Sequence, residues 1–218
     1  MADIDDIATR MANVILSPDS ITGLIQGALT FPLDLGYMVY GVFDTDSRYR
    51  LETARIRMGY AIKHGIINHK RITHALGLIF NAFNNYVSEA EQDKIYRGVI
   101  SSIIGRLSTN VIITKTAAAV LERVSFISAS SSAKPIATIS SILLLGGMIE
   151  RSIRTSEHLE IEAPEVYQIL RPRDYDLLYF LFAPSIQPFV DAIQVRVSQG
   201  EETFKRMLQK LEEKIKFA

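Results

Sequence analysis

The stretch ISASSSAKPIATISSILLLGGMIERS, Ile127 to Ser152, decides how this chain is read. It is either a helix meant for a lipid bilayer or a helix meant for the interior of a helical bundle. A spanning helix needs roughly 20 predominantly apolar residues, and Phe126 to Ile149 has that length. About ten strongly apolar side chains there supply about −3 to −6 kcal/mol of insertion energy, while a central Lys134 costs about +2.5 to +3.5 kcal/mol on the same scale. Pro135, Thr138 and the serines at 128, 130, 131, 132, 140 and 141 add further unfavourable contributions, so the balance lies near zero. A constitutive anchor would be clearly favourable and an ordinary surface helix clearly amphipathic; this segment is neither.

The preceding stretch, VISSIIGRLSTNVIITKTAAAVL from Val99 to Leu121, has the same character, with Arg106 and Lys115 diluting an apolar run. Glu122-Arg123 separates the two, which predicts an antiparallel pair of buried helices. Ala117 to Ala119, Ala129, Ala133, Gly146 and Gly147 allow close helix approach. In composition and architecture the pair resembles the hydrophobic hairpin of colicin-type pore-forming toxins. That resemblance implies a helical bundle that hides a weakly apolar helix pair and releases it at a membrane. The inserting residues would be Lys115, Lys134, Ile136, Ile139, Leu143, Leu144, Leu145, Gly146 and Gly147, with the lysines near a lumen or the lipid surface. Without insertion, Val99 to Ile149 forms the central helices of a soluble domain. In either case Ile136, Ile139, Leu143, Leu144 and Ile149 are expected to be buried in the soluble form.

Working outward, apolar residues recur at helical spacing, and no run of strict alternation marks a strand. Ile4, Ile7, Ala8, Met11, Val14 and Ile15 form one face of a first helix, with Asp3, Asp5 and Asp6 in the opening turn where the helix dipole favours anions. Ile21 to Phe43, interrupted by Pro32, reads as two short helices. A charged helix runs to His64 and stops near Gly65, and another covers Asn68 to Val87. Ser88 to Glu91 has the form of a capping box, as does Ser198 to Glu201 before a terminal helix. Helices are also expected at Tyr175 to Phe182 and at Ser185 to Val197. The fold predicted is one all-α domain over residues 1–218, a bundle of about seven to ten helices with a buried apolar central helix pair in 99–149.

Composition narrows the function classes. Among 218 residues, 48% are hydrophobic, enough for a sizeable core. Lys plus Arg and Asp plus Glu number 24 each, for a formal net charge of +0, so no bulk attraction to nucleic acid operates and no nucleic-acid partner is expected. Cysteine is absent, which excludes disulfides, thiolate metal sites and a cysteine nucleophile. The opening MADIDDIATRMANVIL carries aspartates where a secretory signal would be positive, so synthesis in the cytoplasm without a cleaved signal is expected, with delivery to a target membrane afterwards.

No residue pattern identifies a reaction. His64, His69 and His74 are spaced by five, which turns successive side chains about 140° around a helix, whereas ligands on one face need three or four. No Gly-x-Ser-x-Gly elbow is present, and Gly146-Gly147 lacks the lysine of a phosphate loop. The carboxylate pairs Asp44/Asp46, Glu157/Glu160/Glu162 and Asp174/Asp176 are of a kind common on solvated loops. The chain is therefore expected not to be an enzyme and to need no metal or cofactor. Its most unusual polar cluster is RPRDYDLLYF, Arg171 to Phe180, which reads as an internal salt-bridge knot in preference to a partner-recognition surface carried by Arg171, Arg173, Asp174 and Asp176. The basic residues Arg48, Arg50, Arg55, Arg57 and Lys63 spread around one helix.

Two function classes remain. One is a bacterial pore-forming effector or toxin, with the bilayer as partner and an immunity-type or chaperone-type protein as a second. The other is a soluble, non-catalytic interaction module of adaptor or chaperone type, offering an apolar groove to a partner helix.

Overall fold

Three acidic residues and an apolar stripe set the start of the chain. In the computed structural model, which describes residues 3–17, 45–64, 68–97, 105–130 and 148–217, helix α1 spans Ile4–Leu16 and is capped by Asp3, whose side chain accepts from the Asp5 N–H at 3.1 Å. The cap satisfies one of the N–H groups that a helix start leaves unpaired. Ile7, Ala8, Met11, Val14 and Ile15 of the expected face are buried, Ile4 is half-buried, and Ala12 is buried with them.

Eight further α-helices follow among the described residues: α2 (Thr45–Lys63), α3 (His69–Asn84), α4 (Glu89–Arg97), α5 (Gly105–Ser130), α6 (Met148–Glu162), α7 (Pro164–Leu170), α8 (Tyr179–Gln199) and α9 (Glu201–Lys216). No strand occurs among these residues. The fold is an all-α bundle. Asn68 caps α3 by accepting from the Arg71 N–H at 3.0 Å. The capping box at α4 forms reciprocally: Ser88 N donates to Glu91 Oε2 at 2.9 Å and Glu91 N to Ser88 Oγ at 3.3 Å. Pro164 occupies the first position of α7, where a missing N–H costs nothing.

Helix α8 runs through the middle, packing on α1, α3, α5, α6 and α9. Phe189 joins three of these layers. Its ring lies 4.5 Å from that of Phe80 and 5.4 Å from that of Phe83, and Phe83 in turn lies 6.0 Å from Phe204 of α9. Polar groups fix α1 against α8: Tyr179 Oη donates to Gln187 Oε1 at 2.7 Å, Gln187 to Asp191 at 2.9 Å, and Arg10 to Asp191 at 2.8 Å. Burial, then the nearby charges of Asp191 and Glu162, holds the Tyr179 phenol well above its ordinary range, so it stays a neutral donor.

Two sequence expectations are corrected here. Tyr175 to Phe182 and Ser185 to Val197 are not separate helices: Tyr175–Leu178 is a 3-10 turn, and α8 continues unbroken through Pro184 and Pro188. An interior proline costs about 3 kcal/mol. Here Phe182, Ile186, Phe189, Val190 and Ile193 are buried around the two prolines, each contributing about 1.5 to 3 kcal/mol. The second correction concerns Ser198, which does not cap α9. It sits in the last turn of α8 and donates to the Gln194 carbonyl at 2.6 Å, while Gly200, at φ 86°, makes the break. Only glycine adopts that φ without strain. Glu201 is drawn instead to Lys205 at 2.7 Å and Arg196 at 3.3 Å.

Of the segment 99–149, the described parts are α5 and, at the start of α6, Met148 and Ile149; the expected break at Glu122-Arg123 is not there, because α5 runs on through both residues to Ser130. Helix α5 docks through Ile112, Ile113, Ala117 and Val120, which are buried, against α3, α4 and α8. The pair of short helices expected in 21–43 lies outside the described residues, as do Lys134, Ile136, Ile139, Leu143, Leu144, Leu145, Gly146 and Gly147. Among the described residues no helix is long and apolar enough to cross a membrane.

The termini of the described chain meet through Asp5, which receives Lys210 at 3.0 Å and Lys214 at 3.2 Å. Hydrogen bonds from Lys210 and then Lys214 hold the Asp5 carboxyl below its ordinary 3.8, and the same contact raises Lys210 above its ordinary 10.5. The folded carboxyl thus loses its proton more readily than the unfolded one, so its stabilisation is present above pH 3.8 and fades as pH falls through the folded value. Asp5→Asn is therefore expected to lower the Tm at neutral pH, with the difference from wild type closing as pH falls below 3.8 and also in high salt, because the pair is half-exposed. Melts of both proteins across this range check the sign. A difference that persists unchanged at low pH would assign the effect to something other than the ion pair.

Candidate functional site

The segment from Arg171 to Phe180 is organised by a residue from elsewhere in the chain. Arg57 of α2 extends a side chain that is 15% exposed; its Nε donates to Asp174 Oδ1 at 2.7 Å and its Nη2 to Asp176 Oδ1 at 2.6 Å. A single guanidinium fork is thereby shared by two carboxylates two residues apart. Asp176 is fully buried, and its second oxygen accepts from Ser156 Oγ of α6 at 2.7 Å. Beside it, Ser152 Oγ donates to the Leu177 carbonyl. Both side-chain oxygens of Asp176 are thus satisfied, as a buried carboxylate requires.

The backbone makes this possible. Arg171–Arg173 is a 3-10 turn that ends on Asp174, a non-glycine residue at φ 58°, and the left-handed turn there lets Asp174 and Asp176 share Arg57. Aspartate is among the residues that tolerate this region best. Burial alone would depress the Arg57 pKa, but hydrogen bonding and charge from Asp176, then Asp174, outweigh it and hold the group above its ordinary range.

Of the four residues named as a partner surface, Asp176 does not lie on the surface; it is interior because its charge is matched there. Asp174 is half-buried and shared with Arg57, and Arg171 lies 3.8 Å from it while donating from Nε to Tyr167 Oη at 2.9 Å. Arg173 is exposed. Arg57, Ser152 and Ser156 complete the knot and were not singled out for it from sequence. A signal existed for Arg57: buried Ala54, Met58 and Ala61 mark the inner face of α2, and Arg57 sits within that face. Lys115, the described member of the inserting set, is exposed on α5.

Two clefts flank the knot. One, of about 260 Å3, is lined by Tyr49, Arg57, Ser156, Glu157, Glu160 and Arg171, with charges of both signs. The other, of about 640 Å3, lies between the ends of α2 and α3 and the turn at Arg173, and its lining includes His64, Lys70, Arg71, His74, Arg173 and Tyr175. His74 Nδ1 and Tyr175 Oη are 3.1 Å apart, and His64 Nδ1 donates to the Tyr60 carbonyl at 2.7 Å. The structure therefore brings His64 and His74 to one cleft. No group of three or more His, Asp or Glu side chains among the described residues is disposed to hold a metal ion.

Removing one partner of a buried ion pair leaves the other uncompensated, at about 3 to 5 kcal/mol. Asp176→Ala should lose about that much in urea unfolding, and Arg57→Met a similar amount. The double variant should lose less than the sum of the two, because neither charge is then stranded. Additive losses would mean that the two groups do not interact as their geometry implies.

No protein family model, curated protein sequence or solved structure matches this chain.

Proposed function

We propose that the chain is a membrane-active, non-catalytic helical protein of the pore-forming effector type, in which α5 and the segment after it leave the bundle and enter a target bilayer. The observation that supports this is the seat of α5. The helix has 26 residues, about 39 Å at 1.5 Å per residue, but with Arg106, Lys115, Glu122 and Arg123 it is not apolar enough to cross a bilayer by itself, so it would enter together with the segment that follows. Its buried face is built largely from small or polar side chains, with Thr109, Thr116, Ala117 and Ala119 beside Ile112, Ile113 and Val120. Thr116 is 1% exposed, and its hydroxyl makes no hydrogen bond, which weakens the docked state by about 1 to 3 kcal/mol. The 17 residues from 131 to 147 that follow carry one charge, Lys134. A weakly held helix leading into a nearly uncharged segment suits release. Lys115, already outward-facing on α5, would then lie near a lumen or the lipid surface with Lys134.

A second reading, an interaction module without membrane activity, is favoured by one feature of α2. Tyr49, Ile56 and Tyr60 are 79%, 66% and 65% exposed at helical spacing, a stripe suited to a partner helix.

Dye release from liposomes by the purified protein, at neutral and acidic pH, separates the two. Leakage is expected from wild type. Gly147→Asp adds about 2.5 to 3.5 kcal/mol to an insertion balance near zero and should abolish it in a protein shown to be folded by circular dichroism. Thr116→Val, by removing the unpaired hydroxyl, should raise the Tm and slow the release. Absence of leakage from wild type, or leakage by folded Gly147→Asp at the wild-type rate, would discard insertion and leave the interaction module.

A further inference from the structure

We propose that the cleft between α2, α3 and the Arg173 turn binds a phosphate group. Lys70, Arg71 and Arg173 line it, and among the described residues none of the three is ion-paired. Elsewhere in the bundle, Arg10, Arg57, Arg196, Lys205, Lys210 and Lys214 all meet carboxylates. The one carboxylate on the cleft wall, Asp174, does not offset the three cations. It lies 2.7 Å from Arg57, which also pairs with Asp176, and 3.8 Å from Arg171. Among the described residues, the cleft therefore carries three cations against one carboxylate, Asp174, which is already shared with Arg57 and Arg171.

The location makes that charge costly. Lys70 and Arg71 stand in the first turn of α3, which has no acidic residue, at the end where the helix dipole disfavours cations by about 0.3 to 1 kcal/mol each. In α1 the same positions hold Asp5 and Asp6, and the first turn of α9 holds Glu201 and Glu202. A bound anion would relieve both the dipole conflict and the mutual repulsion of the cations. Phosphate suits the cleft better than a carboxylate does. It brings up to two negative charges and several acceptor oxygens to two guanidinium forks and an ammonium, and about 640 Å3 admits the phosphate together with the group that bears it. The His64 and His74 rings and Tyr175 supply the remaining wall. The phosphate is that of a phospholipid headgroup or of a free phosphate compound, since the recognising chemistry is the same. Binding here does not depend on insertion of α5.

The test uses the full chain. Its Tm is measured with inorganic phosphate against sodium chloride at matched ionic strength, and its flotation with phosphatidylcholine vesicles is measured with and without phosphatidic acid. The cleft variant combines Lys70→Ala, Arg71→Ala and Arg173→Ala; a control, Arg55→Ala with Arg206→Ala and Lys216→Ala, removes the same charge elsewhere. Wild type and control should respond to phosphate, to phosphatidic acid or to both, and the cleft variant should bind at least about tenfold more weakly. Response to inorganic phosphate identifies a free compound as a sufficient ligand, and response to vesicles alone identifies the headgroup. If the triple variant does not fold, Arg173→Ala, an exposed position, carries the comparison. No response of wild type beyond chloride and phosphatidylcholine, or equal binding by cleft variant and control, overturns the site. Phosphate binding without liposome leakage would leave the cleft standing while the pore-forming function falls, and leakage without phosphate binding would do the reverse.

Discussion

The fork of Arg57 shared by Asp174 and Asp176 is the constraint on which the middle of the chain depends. Asp176 is fully buried, so its charge must be matched on the spot, and among the described residues a guanidinium from α2 and a hydroxyl from α6 reach it. That requirement fixes three things together. It docks α2 onto α6, it locks the left-handed turn at Asp174, and it sets the direction in which the chain enters α8. A hydrophobic substitute could fill the same volume, and buried ion pairs are often no more stable than such substitutes. What the ionic version adds is direction, because a fork and two carboxylates meet in few geometries whereas apolar side chains meet in many.

Helix α8 shows the opposite kind of determination. Pro184 and Pro188 each remove a backbone donor, and their four-residue spacing brings both gaps to one side of the helix. Local preference would end the helix there. It continues because its burial is shared with α1, α3 and α9, so that ending it would also separate Phe189 from Phe80 and Phe83. Tertiary packing overrides propensity wherever one element is buried by several others at once.

This contrast explains what was legible in the sequence. The inner face of α1, the Ser88 capping box and the start of α7 at Pro164 follow from interactions among residues a few positions apart, and spacing alone reveals them. The ionic character of RPRDYDLLYF was legible too, but not its guanidinium, since Arg57 is more than a hundred residues away from its partners. Ser198 to Glu201 matched a capping box by type, yet Gly200 and the competing cations on Glu201 decided the outcome. The basic cleft could not be read at all. Its residues come from the end of α2, the start of α3 and the turn after α7, and no single segment looks strongly basic.

Two features of this bundle work against its own stability. A threonine hydroxyl is buried without a partner under α5, and cations stand at the wrong end of the α3 dipole. Elsewhere the chain follows these rules in part: Asp176, the most deeply buried carboxylate described, has both oxygens satisfied, and the first turns of α1 and α9 are acidic, whereas Ser185 Oγ of α8 is also buried without a partner and α5 also starts with a cation, Arg106, and no acid. Under the proposed function and the proposed anion site, the exceptions at α5 and α3 serve demands other than folding. The two lie on different elements and act by different physics; on the proposed readings the first eases detachment of a helix and the second attracts an anion. A protein that must first meet a charged surface or solute and then rearrange would need both, and it would need them separate, so that binding at one does not require the other to have moved.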